Sequence, residues 1–513
     1  MNGAESLART LVACGVDTVF ANPGTSEMHF VAALDRVPGL HCVLGLAETV
    51  VTGCADGYGR MTGRPATTLL HCGPGLANGI ANLHNAKRAF TPVVNIVGDH
   101  ATWHRVHDAP LATDTEGLAR CVSQWVRTAS AASSVGSDAA AAVQAASSPP
   151  GQIATLVLPA DCAWNEGGTV SQPLAPPARV MPDRDNIRVI ARALRSGAAG
   201  MLLISGPALS ERGLRAANRI AQVTGAGLRT PTQVARMARG RGRVPVDRIP
   251  YVVDLALGVL AGTKHLVLCG AKPPVGFFAY PGKPSTLWPA DCTVHVLARA
   301  EQDVIGALEA LADDLGAPRE TAVPDPGPKP EVQRGAFMPD AFALTLAALL
   351  PEDAIVAEDA VTSGRALLAP TFAADPHDWI QVTGGAIGHG LPAATGAALA
   401  CRQRKVVCLQ ADGGGMYSLQ SLWTQARERL DVVNVIFANR SYAILRGELA
   451  AVGAKPGPAS EELFDLGRPE LDWRLLANGM GVEAARVDSL EGFADVFRGA
   501  CARRGPFLIE FRI

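Results

Sequence analysis

Short β-branched runs alternate with Ala- and Leu-rich helical patterns along almost the whole chain, and this rhythm restricts the fold more than any other feature. Alternation of this kind marks βαβ units, and so an α/β architecture built on parallel sheets. The runs predict strands at 17–21, 66–71, 93–97 and 153–158, then 201–205 and 265–269, then 354–358, 405–410, 432–438 and 507–512. Two stretches break the rhythm: 163–184 is rich in Pro and Gly, and 317–335 in Pro and charge. Both read as linkers. They divide the chain into 1–162, 185–316 and 336–513, in keeping with about three domains for 513 residues at roughly 100–200 residues each.

Composition removes several classes. With 48% hydrophobic and 18% charged residues, the chain can bury cores and is not disordered. Lys and Arg total 46 against 48 Asp and Glu, so no basic excess points to nucleic acid and no polybasic run to a lipid surface. The 11 cysteines are scattered singly, with no C-x-x-C pair, which reads as reduced thiols and a cytoplasmic location. The opening MNGAESLARTLVACGVD lacks the basic n-region of a signal peptide. The apolar runs are strand-sized, far short of the ~20 residues that span a bilayer.

The strongest chemical signal lies in the third segment. The run KVVCLQ ends in Ala411-Asp412-Gly413-Gly414-Gly415, and VVNVIF ends in Ala438-Asn439-Arg440-Ser441-Tyr442. Asp412 and Asn439 are 27 residues apart, the length of one strand–helix–strand return. A carboxylate and an amide oxygen then converge at neighbouring strand ends, as hard ligands for Mg²⁺ held jointly with phosphates. The glycines let backbone N–H groups approach a phosphate at a helix start. By itself D-G-G-G reads equally well as a β-α turn; the paired asparagine favours the metal.

This segment resembles the thiamine-diphosphate motif, G-D-G followed after some 25–30 residues by N or N-N, with ADG and Ala438-Asn439 in their places. The resemblance implies Mg²⁺ ligation by Asp412, Asn439 and the carbonyl of Ser441, with Gly413, Gly414 and Tyr442 at the cofactor. An independent match lies in the first segment. Glu48 opens E-T-V-V-T-G-C-A-D-G-Y-G-R, which resembles the E-x-x-x-x-x-x-A-D-G-Y-A-R helix of the same superfamily. That superfamily includes acetolactate synthase and benzoylformate decarboxylase. There the glutamate meets N1′ of the aminopyrimidine; taken alone, Glu48 is a solvated helix-start carboxylate.

Further pieces fall in register. Asn22-Pro23-Gly24-Thr25-Ser26-Glu27 resembles the N-P-G-S-N-E loop of benzoylformate decarboxylase, which implies cofactor contact by Asn22, Pro23 and Gly24 and a substrate-facing Thr25. His71 lies 23 residues after Glu48, the spacing of that enzyme's catalytic histidine. The following Gly73-Pro74-Gly75 is closer to acetolactate synthase. Gly384 to Pro392 resembles the loop that bends the cofactor, with Ile387 as its apolar prop and Gly385 supplying a carbonyl to N4′. Thr362 stands where relatives contact the diphosphate, and Ile444 and Leu445 would shape the apolar side of the substrate pocket. The middle segment matches only as a generic α/β domain.

Weaker signals need a test. His100, His104 and His107 could share a helical face, though without cysteine partners for zinc. His389 could reach the pocket or be a satisfied core histidine. No histidine occurs between 266 and 294, where benzoylformate decarboxylase draws a second catalytic imidazole. FAD, held by the middle domain of acetolactate synthases, has no G-x-G-x-x-G to support it here.

The resemblance therefore implies three Rossmann-like α/β domains, pyrimidine-binding, central and diphosphate-binding. It implies thiamine diphosphate and Mg²⁺, a small 2-oxo acid substrate, and a homodimer or dimer of dimers with the cofactor between subunits. The expected activity is decarboxylation with C–C bond formation; the alternative is decarboxylation with aldehyde release. A nucleotide-dependent dehydrogenase and a non-catalytic relative are the competing classes. The missing G-x-G-x-x-G opposes the first, and the retained Glu48, Asp412 and Asn439 oppose the second.

Overall fold

Three largely parallel sheets organise the structure, a computed structural model that describes residues 1–513. The first sheet holds β1 (Thr18–Asn22), β2 (His41–Leu44), β3 (Ala66–Leu70), β4 (Val93–Asp99), β5 (Trp125–Thr128) and β6 (Ile153–Pro159). Its order is β2-β1-β3-β4-β6-β5, and all its pairings are parallel. The next part of the chain supplies β7 (Gly200–Ile204), β8 (Gly227–Thr230), β9 (Met237–Arg239), β10 (Asp247–Arg248), β11 (His265–Cys269) and β12 (Thr293–Ala298). All but β9 form the second sheet, in the order β10-β8-β7-β11-β12. The last part supplies β13 (Ile355–Asp359), β14 (His377–Gln381), β15 (Val406–Ala411), β16 (Val432–Ala438), β17 (Glu483–Val487) and β18 (Phe507–Arg512). They are ordered β17-β18-β16-β15-β13-β14, and β9 adds antiparallel to β14 at the edge.

All ten strands expected from the sequence are present, within one or two residues. Their legibility has a simple cause: β3, β4 and β6 are buried at every position, as parallel strands covered on both faces must be. The Pro-rich stretches carry no helix or strand between Trp164 and Arg184 or between Asp314 and Pro339. No helix is long and apolar enough to cross a membrane, and all eleven cysteines are free.

The largest buried apolar cluster joins the first and last parts of the chain through two helices, Glu48–Thr62 and Gly390–Ala400. Small residues make the contact possible. A Cβ on Gly57 would fall 2.1 Å from the carbonyl oxygen of Ala393, and one on Gly396 would fall 1.9 Å from that of Cys54. Polar groups of the A-D-G-Y-G-R stretch lock the same interface. Arg60 donates two bonds to Asp56, one to the Gln381 carbonyl at 2.5 Å and one to Thr383 Oγ1 at 2.9 Å. Thr91 Oγ1 and His389 Nε2 also donate to Asp56, at 2.5 and 2.7 Å. Burial alone would raise the Asp56 carboxyl; Arg60 and His389 more than offset this and hold it well below the usual range.

Candidate active site

The parallel pair β15 and β16 runs in register from Val406 opposite Val432 to Ala411 opposite Phe437, so Asp412 and Asn439 emerge at the same sheet edge. Asp412 is 2% exposed. Its Oδ1 accepts from the Gly413 N–H at 2.8 Å and its Oδ2 from the Arg440 N–H at 2.7 Å. Burial raises its carboxyl, and those two N–H groups offset only part of that. Asn439 Oδ1 accepts from the Ser441 N–H at 2.9 Å, and Ser441 Oγ is buried without a partner. The turn is too tight for side chains: a Cβ on Gly413 would meet the Tyr442 ring at 2.5 Å, and one on Gly414 the Gln410 amide at 2.9 Å.

The neighbouring loop, 384–390, is held from beneath by Asp359 at the end of β13. One carboxylate oxygen accepts from the N–H groups of Gly388 (2.8 Å), His389 (3.0 Å) and Gly390 (3.3 Å), and from Gln410 Nε2 (3.1 Å). The other oxygen is buried with no partner. Burial pushes this carboxyl up to about 6. Asn85 secures the other end of the loop, accepting from the Gly384 N–H and donating to the Ala386 carbonyl. Gly385 (φ +75°) lies beneath Phe277, whose ring would sit 2.5 Å from a Cβ there.

Beside this loop a cavity of about 310 Å³ is lined by Gly385, Ile387, Ile444 and Leu445, with Phe277, Phe278 and Tyr251 from the central part of the chain. Val361, which precedes Thr362, also lines it and has φ +50°, a costly conformation for a β-branched residue. Cys72 (φ +50°) directly after His71 and Arg440 (φ +55°) directly after Asn439 share that strain. Strain of this kind gathers at functional sites.

A second cluster forms at the ends of β1 and β3. Glu27, 2% exposed, accepts from His71 Nδ1 at 2.9 Å and from the Gly24 N–H at 2.8 Å. Ser26 Oγ bonds Glu27 and lies 3.2 Å from His71 Nδ1 and 3.1 Å from Cys72 Sγ. Gly24 must be glycine because a Cβ there would fall 2.2 Å from the imidazole. Asn22 donates to the Gly45 carbonyl at 3.0 Å and so ties down the segment leading to Glu48. Glu48 is half-buried and accepts from Asn78 Nδ2 at 3.2 Å.

Comparison with known proteins decides the family. Residues 1–118 match the family model of the thiamine pyrophosphate enzyme N-terminal TPP binding domain, and residues 365–511 that of the C-terminal TPP binding domain. The chain is 51% identical to the acetolactate synthase large subunit-like protein IlvX of Mycobacterium tuberculosis, over 99% of this chain and 98% of that one. The chain belongs to the thiamine-diphosphate-dependent enzymes. It is also 28% identical to benzoylformate decarboxylase of Pseudomonas aeruginosa, over 97% of this chain and 96% of that one. Its fold matches a thiamine-diphosphate-dependent 4-hydroxybenzoylformate decarboxylase of Rhodococcus jostii, with TM-score 0.85, 25% identity, and 100% and 99% of the two chains covered.

The residues present fit the cofactor of thiamine-diphosphate-dependent enzymes. Asp412, the Asn439 amide and the Ser441 carbonyl form a hard oxygen set that could hold Mg²⁺, and the buried, upward-shifted Asp412 favours a cation beside it. The turn over Gly413 and Gly414 could cradle phosphates. Thr25 is exposed and makes no hydrogen bond, and the hydroxyl beside His71 is that of Ser26, because the turn Thr25–Glu27 points successive side chains apart. His389 is 1% exposed and satisfied by Asp56, as a core histidine.

Sequence reasoning missed Glu27, Asn78 and Asp359. Glu27 was legible in the N-P-G-T-S-E string, and its distance of 44 residues from His71 concealed the pairing. The rings of His100, His104 and His107 lie with centroids 5.7 and 5.6 Å apart, tilted against one another and without a convergent ligand set. No hydrogen bond or ion pair joins Glu48 or His71 to Asp412, Asn439 or the 384–390 loop, and the cavity has no lining residue before Thr232.

Proposed function

We propose that this enzyme decarboxylates a small 2-oxo acid with Mg²⁺ as co-ligand, and joins the remaining acyl unit to a second carbonyl compound. Residues 1–162 would hold the pyrimidine half of the cofactor, 336–513 the diphosphate half, with 185–316 between them as a central domain. When bound, thiamine diphosphate supplies the nucleophilic carbon and the electron sink for loss of CO₂. Glu48 holds and returns a proton at N1′, with Asn78 fixing its carboxylate. Asp412, Asn439 and the Ser441 carbonyl would hold the metal, and Ile387 would pack against the bound cofactor. His71, oriented through Nδ1 by Glu27, turns Nε2 to the substrate carboxylate. Ile444 and Leu445 exclude water.

The observation that carries carboligation is the apolar central-domain wall. Phe277 covers Gly385, Phe278 lines the cavity with it, and no imidazole does. This wall offers no imidazole to deliver a proton from the central domain, which would favour a second carbonyl compound over a proton as the acceptor. The 51% identity to an acetolactate-synthase-like protein supports the same reading. Aldehyde release is the second reading, favoured by the Glu27–His71 pair as a proton source. The two readings separate on a panel of 2-oxo acids with thiamine diphosphate and Mg²⁺, scored for CO₂, aldehyde and hydroxyketone. Hydroxyketone as the main product supports carboligation; aldehyde alone refutes it.

No hydrogen bond or ion pair joins Glu48 or His71 to the Asp412 cluster within one chain, which supports a site completed by a second copy. The proposed assembly is a homodimer, or a dimer of dimers, with each cofactor held between chains.

A further inference from the structure

The charged groups lining the cavity differ in how they are occupied. Glu448 accepts from Tyr251 Oη at 2.9 Å and Tyr280 Oη at 2.7 Å. Glu358 accepts from Gln381 Nε2 at 3.0 Å and from the Ala360 N–H at 3.3 Å. Asp359 is sealed beneath the 384–390 loop, with its bonded oxygen on three N–H groups. The guanidinium groups of Arg248 and Arg365 are not committed in this way. Neither has a carboxylate within ion-pair distance, although most arginines of the chain do. Asp247, next to Arg248, faces Arg229 instead at 3.8 Å. Arg248 makes one long bond, 3.3 Å, to the carbonyl of Arg365, which leaves most of its fork free. The carboxylates of this cavity are therefore occupied and its cations are open.

We infer that the substrate is a 2-oxo acid whose apolar side chain ends in a second carboxylate, received by Arg248 and Arg365. The aromatic wall of Phe277, Phe278 and Tyr251 covers the apolar body, and the 2-oxo end reaches Ile387. A planar guanidinium recognises a carboxylate with two parallel bonds, and an isosteric alkyl group in its place leaves that fork unpaired. This inference rests on the function proposed above. Its shared chemistry, an anion on two guanidinium groups, would also suit the phosphates of a nucleotide, so the test has an arm for each source.

Matched substrates isolate the distal charge: 2-oxoglutarate against 5-methyl-2-oxohexanoate, and 4-carboxyphenylglyoxylate against its 4-isopropyl counterpart. With holoenzyme, kcat/KM should favour the carboxylate member of at least one pair by about tenfold or more. Arg248→Gln should bring that ratio down to about one, and the exposed Arg365→Gln should lower it in part. An independent readout needs no turnover. Glutarate should raise the melting temperature of the wild type by more than 5-methylhexanoate does, and Arg248→Gln should remove that difference. Equal or inverse preference within both pairs overturns the inference, as does a loss in Arg248→Gln that is equal for both members. An Arg248-dependent stabilisation by ADP without any carboxylate preference assigns the guanidinium groups to a nucleotide and also overturns it. If no 2-oxo acid is decarboxylated, the proposed function fails, and the glutarate shift still decides this inference.

Discussion

The Glu27 carboxylate lies 2.9 Å from Nδ1 of His71, with Glu27 buried and the imidazole part-exposed above it. A buried carboxylate there holds the Nδ1–H tautomer and leaves Nε2 as the working atom. Glu27→Gln should keep the fold but let the ring turn and change tautomer. The expected result is a fall in kcat/KM of about tenfold or more, with a displaced pH profile. A change of less than twofold would make the pair structural.

Asp359 predicts a pH dependence of stability. Its carboxyl is raised from an ordinary 3.8 to about 6, so folding favours its protonated form. Its contribution to stability is full below about pH 4, is lost as pH rises to about 6, and is constant above that. Asp359→Asn cannot ionise and keeps an oxygen for the loop N–H groups. The melting temperature of the variant relative to wild type should therefore climb between pH 4 and 6.5, by an amount equivalent to a few kcal/mol at the most. A flat difference would show that folding does not raise the Asp359 carboxyl.

The Asp56–Arg60 clasp carries the third prediction. Arg60 and Asp56 are buried against each other, so Arg60→Ala takes the guanidinium from a buried carboxylate and leaves it with Thr91 and His389. Such a loss costs about 3–5 kcal/mol. Arg60→Lys should rescue only part of it, because one ammonium cannot replace bonds to Asp56, Gln381 and Thr383 together. Denaturant melts of both variants provide the check; loss below 1 kcal/mol would remove the clasp from the stability account.

The fold was legible where the physics is repetitive. Fully buried parallel strands such as Ile153–Pro159 read as apolar runs because both faces are covered. The missed strands escape that rule. In His377–Gln381 the buried polar residues have local partners, Asp378 with Arg236 and Arg404, and Gln381 with Glu358. His41 and Cys42 lie exposed on an edge strand. Met237–Arg239 is three residues long and crosses from the central part of the chain to the third sheet, which no local pattern can announce. At the candidate site, Glu48, Asp412 and Asn439 could be named because they sit at fixed offsets within strings. The choice between Thr25 and Ser26, and the Glu27–His71 and Asp359–loop contacts, depend on which way turns point and on distant segments meeting.

Cofactor loading gives the fourth prediction. Thiamine diphosphate and Mg²⁺ added together should stabilise the apo protein, by about 2.7 kcal/mol at a hundredfold excess over Kd. Asp412→Ala should abolish most of that gain, since it removes the one carboxylate of the proposed metal set. An undiminished thermal shift in the variant would place the metal elsewhere.

Subunit mixing asks whether Glu48 of one chain works with the Asp412 cluster of its partner, as proposed. Glu48→Gln and Asp412→Ala homodimers should each be inactive. A mixed dimer has one site with both lesions and one with neither. Random exchange makes about half the dimers mixed, so activity should return to roughly a quarter of wild type. If tagged subunits prove that exchange occurred and no activity returns, each site is built within one chain and the account is wrong.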